Sequence, residues 1–287
     1  MSVINTNVAA NNTYRMMSIA SEEKASSMEK LSSGLRINRA ADDAAGLSIA
    51  EGLRSQSNGL EVAARNIGDA ISLAQTAEGG LSAAGDILQR MRDLAVQAGN
   101  DTLNAEARTA IQTEVTQLTG ELTRMSESIN FNGSNLLGAT SGAAGDGSGS
   151  FSFQVGANGG TDAASSSDTI SLTIATDLSE MVTTDFADLD FSSADGAAAS
   201  LVTLDAAITA ISSDRSNIGA VQNRLEHTLK HVNVTAENLT NAESNIRDVD
   251  MAKEIVKQSA ANIKEQASQA MLAQANQASQ NVLQLLR

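Results

Sequence analysis

The chain of 287 residues is 41% apolar yet only 2% aromatic, with no Trp, Pro or Cys and a formal net charge of −15. The missing cysteines exclude a disulfide framework, a thiolate zinc site and a cysteine nucleophile, and the acidity, with no cluster of Lys and Arg, argues against a phosphate-tracking surface for nucleic acid or anionic membrane. An apolar load carried by Ala, Leu, Ile, Val and Met, with no proline to remove a backbone donor, fits long helices in close contact.

The opening "MSVINTNVAANNTYR" has no basic residue before Arg15 and no continuous apolar run, so it does not read as a cleaved secretory signal. Ile4, Val8, Met16, Ile19, Met28, Leu31 and Leu35 then recur at helical spacing. The stretch "LSSGLRINRAADDAAG" gathers Arg36, Arg39, Asp42 and Asp43 between Gly34 and Gly46. It reads as a connector. Asp42 and Asp43 are expected to cap a helix beginning near Ala44, Arg36 and Arg39 to pair locally or across a subunit boundary, and the glycines to permit close approach.

Leu60, Ala64, Ile67, Ile71, Ala74, Leu81, Ala84, Leu88, Met91 and Ala95 make one apolar stripe ending at Gly99. They predict a helix over 44–98, about 80 Å long at helical rise. "GNDTLN" supplies a turn, and Ala107, Ile111, Val115, Leu118, Leu122, Met125 and Ile129 predict a second helix, capped by Asn104 and stopped by "FNG".

Residues 139–194 are rich in Gly, Ser, Thr and Asp. Phe151, Phe153 and Val155 alternate, as do Ile170, Leu172 and Ile174, which predicts two short strands joined by a loop. Nine acidic and no basic residues between 139 and 200 predict solvated surface with little core of its own.

Beyond it, Leu201, Leu204, Ile208, Ile211, Ile218, Val221, Leu225, Leu229, Val232, Ala236 and Leu239 predict a long helix over 201–242, with Arg215 filling the one skipped step. Val249, Ala252, Val256, Ala260, Ile263, Ala267, Met271, Ala275, Ala278, Val282 and Leu285 take ten steps over 36 residues, which is 3.6 per step. That is a terminal helix. Stripes of this length must be covered by other long helices. The expected fold is mainly α: an elongated antiparallel helical bundle or coiled coil formed by the N- and C-terminal halves, with the terminal stripes covering each other and a small β-hairpin region in the middle.

Candidate chemistry is sparse. His227 and His231 stand four apart on one helix face, but "TLK" between them lacks a general base and no third ligand is in view, so no metal site is expected. No Ser/His/Asp set and no phosphate-binding glycine loop occurs. Neither an enzyme nor a cofactor is expected, and no segment reads as inserted in a membrane.

Several long motifs carry a resemblance: "VINTNVAANN", "LSSGLRINRAADDAAG", "ISLAQTAEGGL", "LQRMRDLAVQAGN" and "FNGSNLL", then "IGAVQNRLEHTL", "AENLTNAESNIRDVDMAKE" and "MLAQANQASQNVLQLL". Over about 1–138 and 200–287 the chain resembles bacterial flagellin. The resemblance implies a self-assembling subunit of an extracellular helical filament for motility, exported by the flagellar type III apparatus without a cleaved signal. It implies an inner layer, D0, from 1–43 and 244–287, and a surrounding layer, D1, from 44–138, a short excursion over 139–194, and 195–243, with no large outer domains. Implied partners are further copies of itself, an export chaperone, and the hook-associated and cap proteins.

The terminal helix would pack through Val256, Ile263, Met271, Val282 and Leu285. The resemblance also implies recognition by a host Toll-like receptor, carried here by Gln89, Arg90, Leu94 and Glu114. A hook–filament junction protein shares the terminal architecture, but "DDAAG" lacks the proline such proteins tend to carry after the aspartates. A secreted coiled-coil adhesin is a more distant alternative.

Overall fold

The computed structural model describes residues 6–138, 149–158 and 168–285, with side chains described up to Gln277. The elements in chain order are α1 (Val8–Ser33), α2 (Ala44–Ala98), α3 (Ala105–Ser128), β1 (Asn130–Phe131), β2 (Ser134–Asn135), β3 (Ser150–Gln154) and β4 (Thr169–Thr173). There follow α4 (Leu178–Glu180), which continues as a π-helical turn (Met181–Asp185), then α5 (Ala194–Arg247) and α6 (Met251–Leu285). The fold is mainly α, as the periodicity predicts.

The chain forms two compact units, one from residues within Met1–Ser55 and Asn238–Arg287, the other over Gln56–Glu237. In the second unit α2 lies between α3 and α5. Arg90 on α2 pairs with Glu114 on α3 at 2.6 Å, while Arg92 reaches Asp205 and Glu78 takes Gln222 from α5. The order of the α5 partners, and the approach of Ile129 just past α3 to Gly80, make both pairings antiparallel. Serving two neighbours, α2 buries more than one stripe: Ala63, Ala70, Leu73, Ala77 and Leu94 join the predicted Leu60, Ile67, Leu81, Leu88 and Met91 in the core.

Local signals account for the ends of α3. The Asn104 side chain accepts from Ala107 N at 2.9 Å, the expected N-cap. At the far end "FNG" does more than stop the helix. Asn132 and Gly133 both take positive φ, 49° and 82°, which is the geometry of a tight two-residue hairpin, and β1 pairs with β2 across it.

The central excursion corrects one expectation. β3 and β4 pair antiparallel with Phe151 opposite Leu172 and Phe153 opposite Ile170, as the alternation predicts. The segment nevertheless carries a core: Phe151, Val155, Ile170, Leu172, Ile174, Leu178, Met181, Val182, Phe186, Leu189 and Phe191 are all buried. Its acidic residues lie between these apolar positions and mask them in any composition average. Backbone groups tie it down. Leu178 N donates to Leu137 O at 2.9 Å, and the Gln112 amide on α3 bridges Leu189 O and Phe191 N.

A second correction concerns α5. The skipped step of its stripe is filled by Asp214, which is buried, and not by Arg215, which is exposed. Its carboxylate accepts from the Ala175 and Thr176 amides, at 3.4 and 2.8 Å, just beyond β4. Among the described residues, α5 also carries a stretch long and apolar enough by composition to cross a membrane. In the second unit Leu204, Ala207 and Ile211 along α5 are packed as core.

Candidate assembly surface

In the first unit α1 and α6 run antiparallel, but they do not meet through the apolar stripes expected to cover each other. The buried residues of the seam are Ala20, Ser27, Glu254 and Ala261. Ser27 Oγ donates to Glu254 Oε1 at 2.8 Å, and Lys257 Nζ donates to Glu254 Oε2 at 3.0 Å. Lys24 pairs with Glu265 at 3.0 Å and Lys264 with Glu23 at 3.1 Å. Alanines let the backbones approach, and polar groups fill what remains.

The predicted apolar stripes therefore do not cover each other. On α6, Val256, Ile263 and Met271 are 68%, 68% and 62% exposed, and on α1 Val8, Tyr14, Met16, Ile19 and Met28 also face outward. Val282 and Leu285 lie outside the described side chains. So much aliphatic surface, left outside a polar seam, marks an interaction face.

Residues 34–43 link α1 to α2, with bonds that differ from those expected of them. Gly34 ends α1 in the left-handed conformation, φ 73°, and its N–H caps Lys30 O. No neighbour crowds it, so backbone freedom explains the glycine and close approach does not. Asp43 caps α2, accepting from Gly46 N at 2.9 Å. A Cβ on Gly46 would meet that same carboxylate and Ile37 at 2.5 and 2.8 Å, so here close approach does hold. Asp42 does not cap α2. It turns back to accept from the amides of Asn38 and Arg39, at 3.1 and 2.9 Å, and these bonds hold its carboxyl below the usual aspartate range.

Arg39 pairs locally with Glu29 at 2.8 Å. Arg36 donates instead to a carbonyl, Ile246 O, at 2.6 Å. Leu35 bridges Asp248, with Arg36 N donating to Arg247 O and Val249 N to Gly34 O. The link between α5 and α6 is thus stitched to the link between α1 and α2. Sequence reasoning missed Arg247, whose Nη1 reaches Glu51 at 3.2 Å across this junction. A charged residue in the last turn of a helix was the available signal.

Of the residues implied for receptor recognition, Arg90 and Glu114 form an ion pair and Gln89 is exposed. Leu94 differs: it is 2% exposed and belongs to the core, because α2 packs on two sides. His227 and His231 are both exposed, and among the described residues no group of three His, Asp or Glu converges as metal ligands.

Long paired helices, a polar internal seam and an outward aliphatic face define a helical structural subunit built to associate with others. Residues 4–141 match the family model for the bacterial flagellin N-terminal helical region, and residues 201–286 that for the C-terminal helical region. The chain belongs to the bacterial flagellin family. It is a subunit of the flagellar filament, an extracellular structure of motility, in a short form without large outer domains.

It is 48% identical to a flagellin of Bacillus subtilis over 302 residues, covering 99% of each chain. It is 47% identical to a flagellin of Halalkalibacterium halodurans, covering 99% of this chain and 100% of the relative. Among solved structures, Bacillus cereus flagellin is similar at 33% identity and a TM-score of 0.48, over 62% of this chain and 94% of that one.

Proposed function

We propose that polymerisation runs through the terminal helix pair, with Val256, Ile263, Met271, Val282 and Leu285 packing against neighbouring copies. The observation that carries this reading is the outward exposure of the α6 stripe beside a polar intrachain seam. A heterologous contact, in which one patch of each copy meets a different patch of the next, extends as an open helix where its rotation does not close into a ring. In this reading residues 1–43 and 244–287 form D0. Residues 44–138, 139–194 and 195–243 form D1, and Arg36, Arg39, Asp42 and Asp43 hold the joint between the two.

An aliphatic stripe exposed before assembly needs cover, which supports an export chaperone on α6 and delivery by the flagellar type III route. Hook-associated and cap proteins are the neighbours at the two ends of the polymer. The role is mechanical, without catalysis. Gln89, Arg90 and Glu114 form the exposed part of a host Toll-like receptor contact, with Leu94 supporting it from the core.

Deleting Gln266–Arg287 tests the reading. The shortened protein is expected to stay soluble and to form no filament by sedimentation and electron microscopy. Filaments from it would remove the assembly role from α6.

A further inference from the structure

We propose that the methionines exposed on the terminal helix pair are the oxidation-sensitive sites of the free subunit, and that their conversion to sulfoxides by a peroxide switches off polymerisation. The inference rests on the assembly reading above. It starts from a composition with neither Cys nor Trp, so the thioether is the most oxidisable side chain in the protein.

Among the described residues the structure divides these thioethers by unit, except that Met17 on α1 is half-buried and falls between the two groups. Met16, Met28, Met251 and Met271, all on α1 or α6, are 49%, 51%, 46% and 62% exposed. Met91, Met125 and Met181, on α2, α3 and the π-helical turn, are buried at 0%, 7% and 7%. Oxidation follows access to the sulfur. A peroxide in solution therefore reaches the first group and is kept from the second.

In the reaction, a sulfur lone pair attacks one peroxide oxygen, the S–O bond forms as the O–O bond breaks, and the second oxygen leaves as water after proton transfer. Sulfur is oxidised by two electrons and the peroxide is reduced. A flexible apolar side chain becomes a polar, chiral one. On Met271 the new oxygen stands in the Val256 and Ile263 stripe, where assembly would have to bury a polar group in place of an apolar one. Assembly also hides the sulfurs, so a finished filament resists the oxidant that disables its precursor. Methionine sulfoxide reductases, one for each sulfoxide epimer, reverse the change.

The test uses the full-length free subunit and hydrogen peroxide, quenched with catalase. Peptide mass spectrometry is expected to place added oxygen on Met16, Met28, Met251 and Met271 at least about ten-fold faster than on Met91, Met125 and Met181. Seeded growth, read as sedimentable polymer, is expected to be lost and then recovered with both reductases. Peroxide is expected to leave the seeded growth of a variant carrying Met16→Leu, Met17→Leu, Met28→Leu, Met251→Leu and Met271→Leu at that variant's own untreated level, whatever that level is.

Equal labelling of the two groups overturns the proposal, as does full growth of the oxidised subunit or failure of the reductases to restore it. Should the Leu variant not assemble, the reductase arm decides alone. Untreated subunit that fails to polymerise on seeds overturns the assembly reading and this inference together. Untreated and oxidised subunits growing alike sinks this inference only.

Discussion

The Ser27 hydroxyl donates to the Glu254 carboxylate across the α1–α6 seam at 2.8 Å, and both residues are buried. Burial pushes the Glu254 carboxyl up, but Ser27 and Lys257, with Lys30 behind them, hold it below the usual glutamate range. A carboxyl depressed in the folded state gives stability that is complete above the unfolded value and is lost as pH falls through the folded one. Acid is therefore expected to loosen this helix pair, and Glu254→Gln to flatten that acid dependence, as read by amide exchange in α1 and α6. Glu254→Ala leaves Ser27 and Lys257 without their partner and is expected to cost about 1–3 kcal/mol of local pairing.

The two connector aspartates separate cleanly. Asp43→Ala removes the N-cap of α2 and is expected to destabilise that helix start by about 1 kcal/mol, seen as faster exchange of the Gly46 amide. Asp42→Ala is expected to spare Gly46 and release the amides of Asn38 and Arg39 instead. If both variants release the same amides, the division of labour is wrong.

Arg36→Glu and Arg39→Glu test the joint itself. Arg36 holds the Ile246 carbonyl and Arg39 the Glu29 carboxylate. A glutamate at 36 repels that carbonyl, and one at 39 sets like charges together. Either reversal is expected to impair filament growth or change filament shape while circular dichroism of the subunit stays helical. Normal filaments from both would show that the joint tolerates any charge.

Helix positions were legible in the sequence because a 3.6-residue rhythm survives in Leu, Ile and Val whatever covers it. What covers them was not. In the second unit the stripe of α5 does face a neighbour, through Leu204, Ile211, Ile218 and Leu225. In α6 an equally regular stripe faces outward, since Ala20 and Ala261 with a few ion pairs suffice to join two helices. Periodicity reports an apolar face and is silent on whether the same chain fills it. Asp214 was hidden for a related reason: positions 214 and 215 fit the skipped step equally well, and only tertiary contact shows which turns inward. The connector was legible as a place, but who bonds to whom depended on the 246–249 segment, some 200 residues away in sequence.

Asp214 supplies a stability prediction with an internal control. Its carboxylate satisfies two amides at the end of β4. Asp214→Ala leaves both without a protein partner and is expected to cost about 1–3 kcal/mol, with exchange of the Ala175 and Thr176 amides accelerated. The exposed Arg215→Ala, one residue on, gives up only a 3.9 Å ion pair to Glu78 and is expected to change the unfolding midpoint little.

Leu94 and its neighbours decide between packing and recognition on α2. Leu94 is 2% exposed, so Leu94→Ala is expected to cost about 2–5 kcal/mol through a cavity between the helices. Any loss of receptor response would then follow the loss of fold and be regained under stabilising conditions. Gln89→Ala removes an exposed side chain, and Arg90→Ala or Glu114→Ala breaks a surface ion pair worth about 0–1 kcal/mol. These three are expected to leave thermal unfolding nearly unchanged. If they also lower receptor signalling while Leu94→Ala, refolded and stable, does not, recognition reads the exposed polar edge of α2 and α3. The reverse result would require α2 to turn, bringing Leu94 out of the core when the receptor binds.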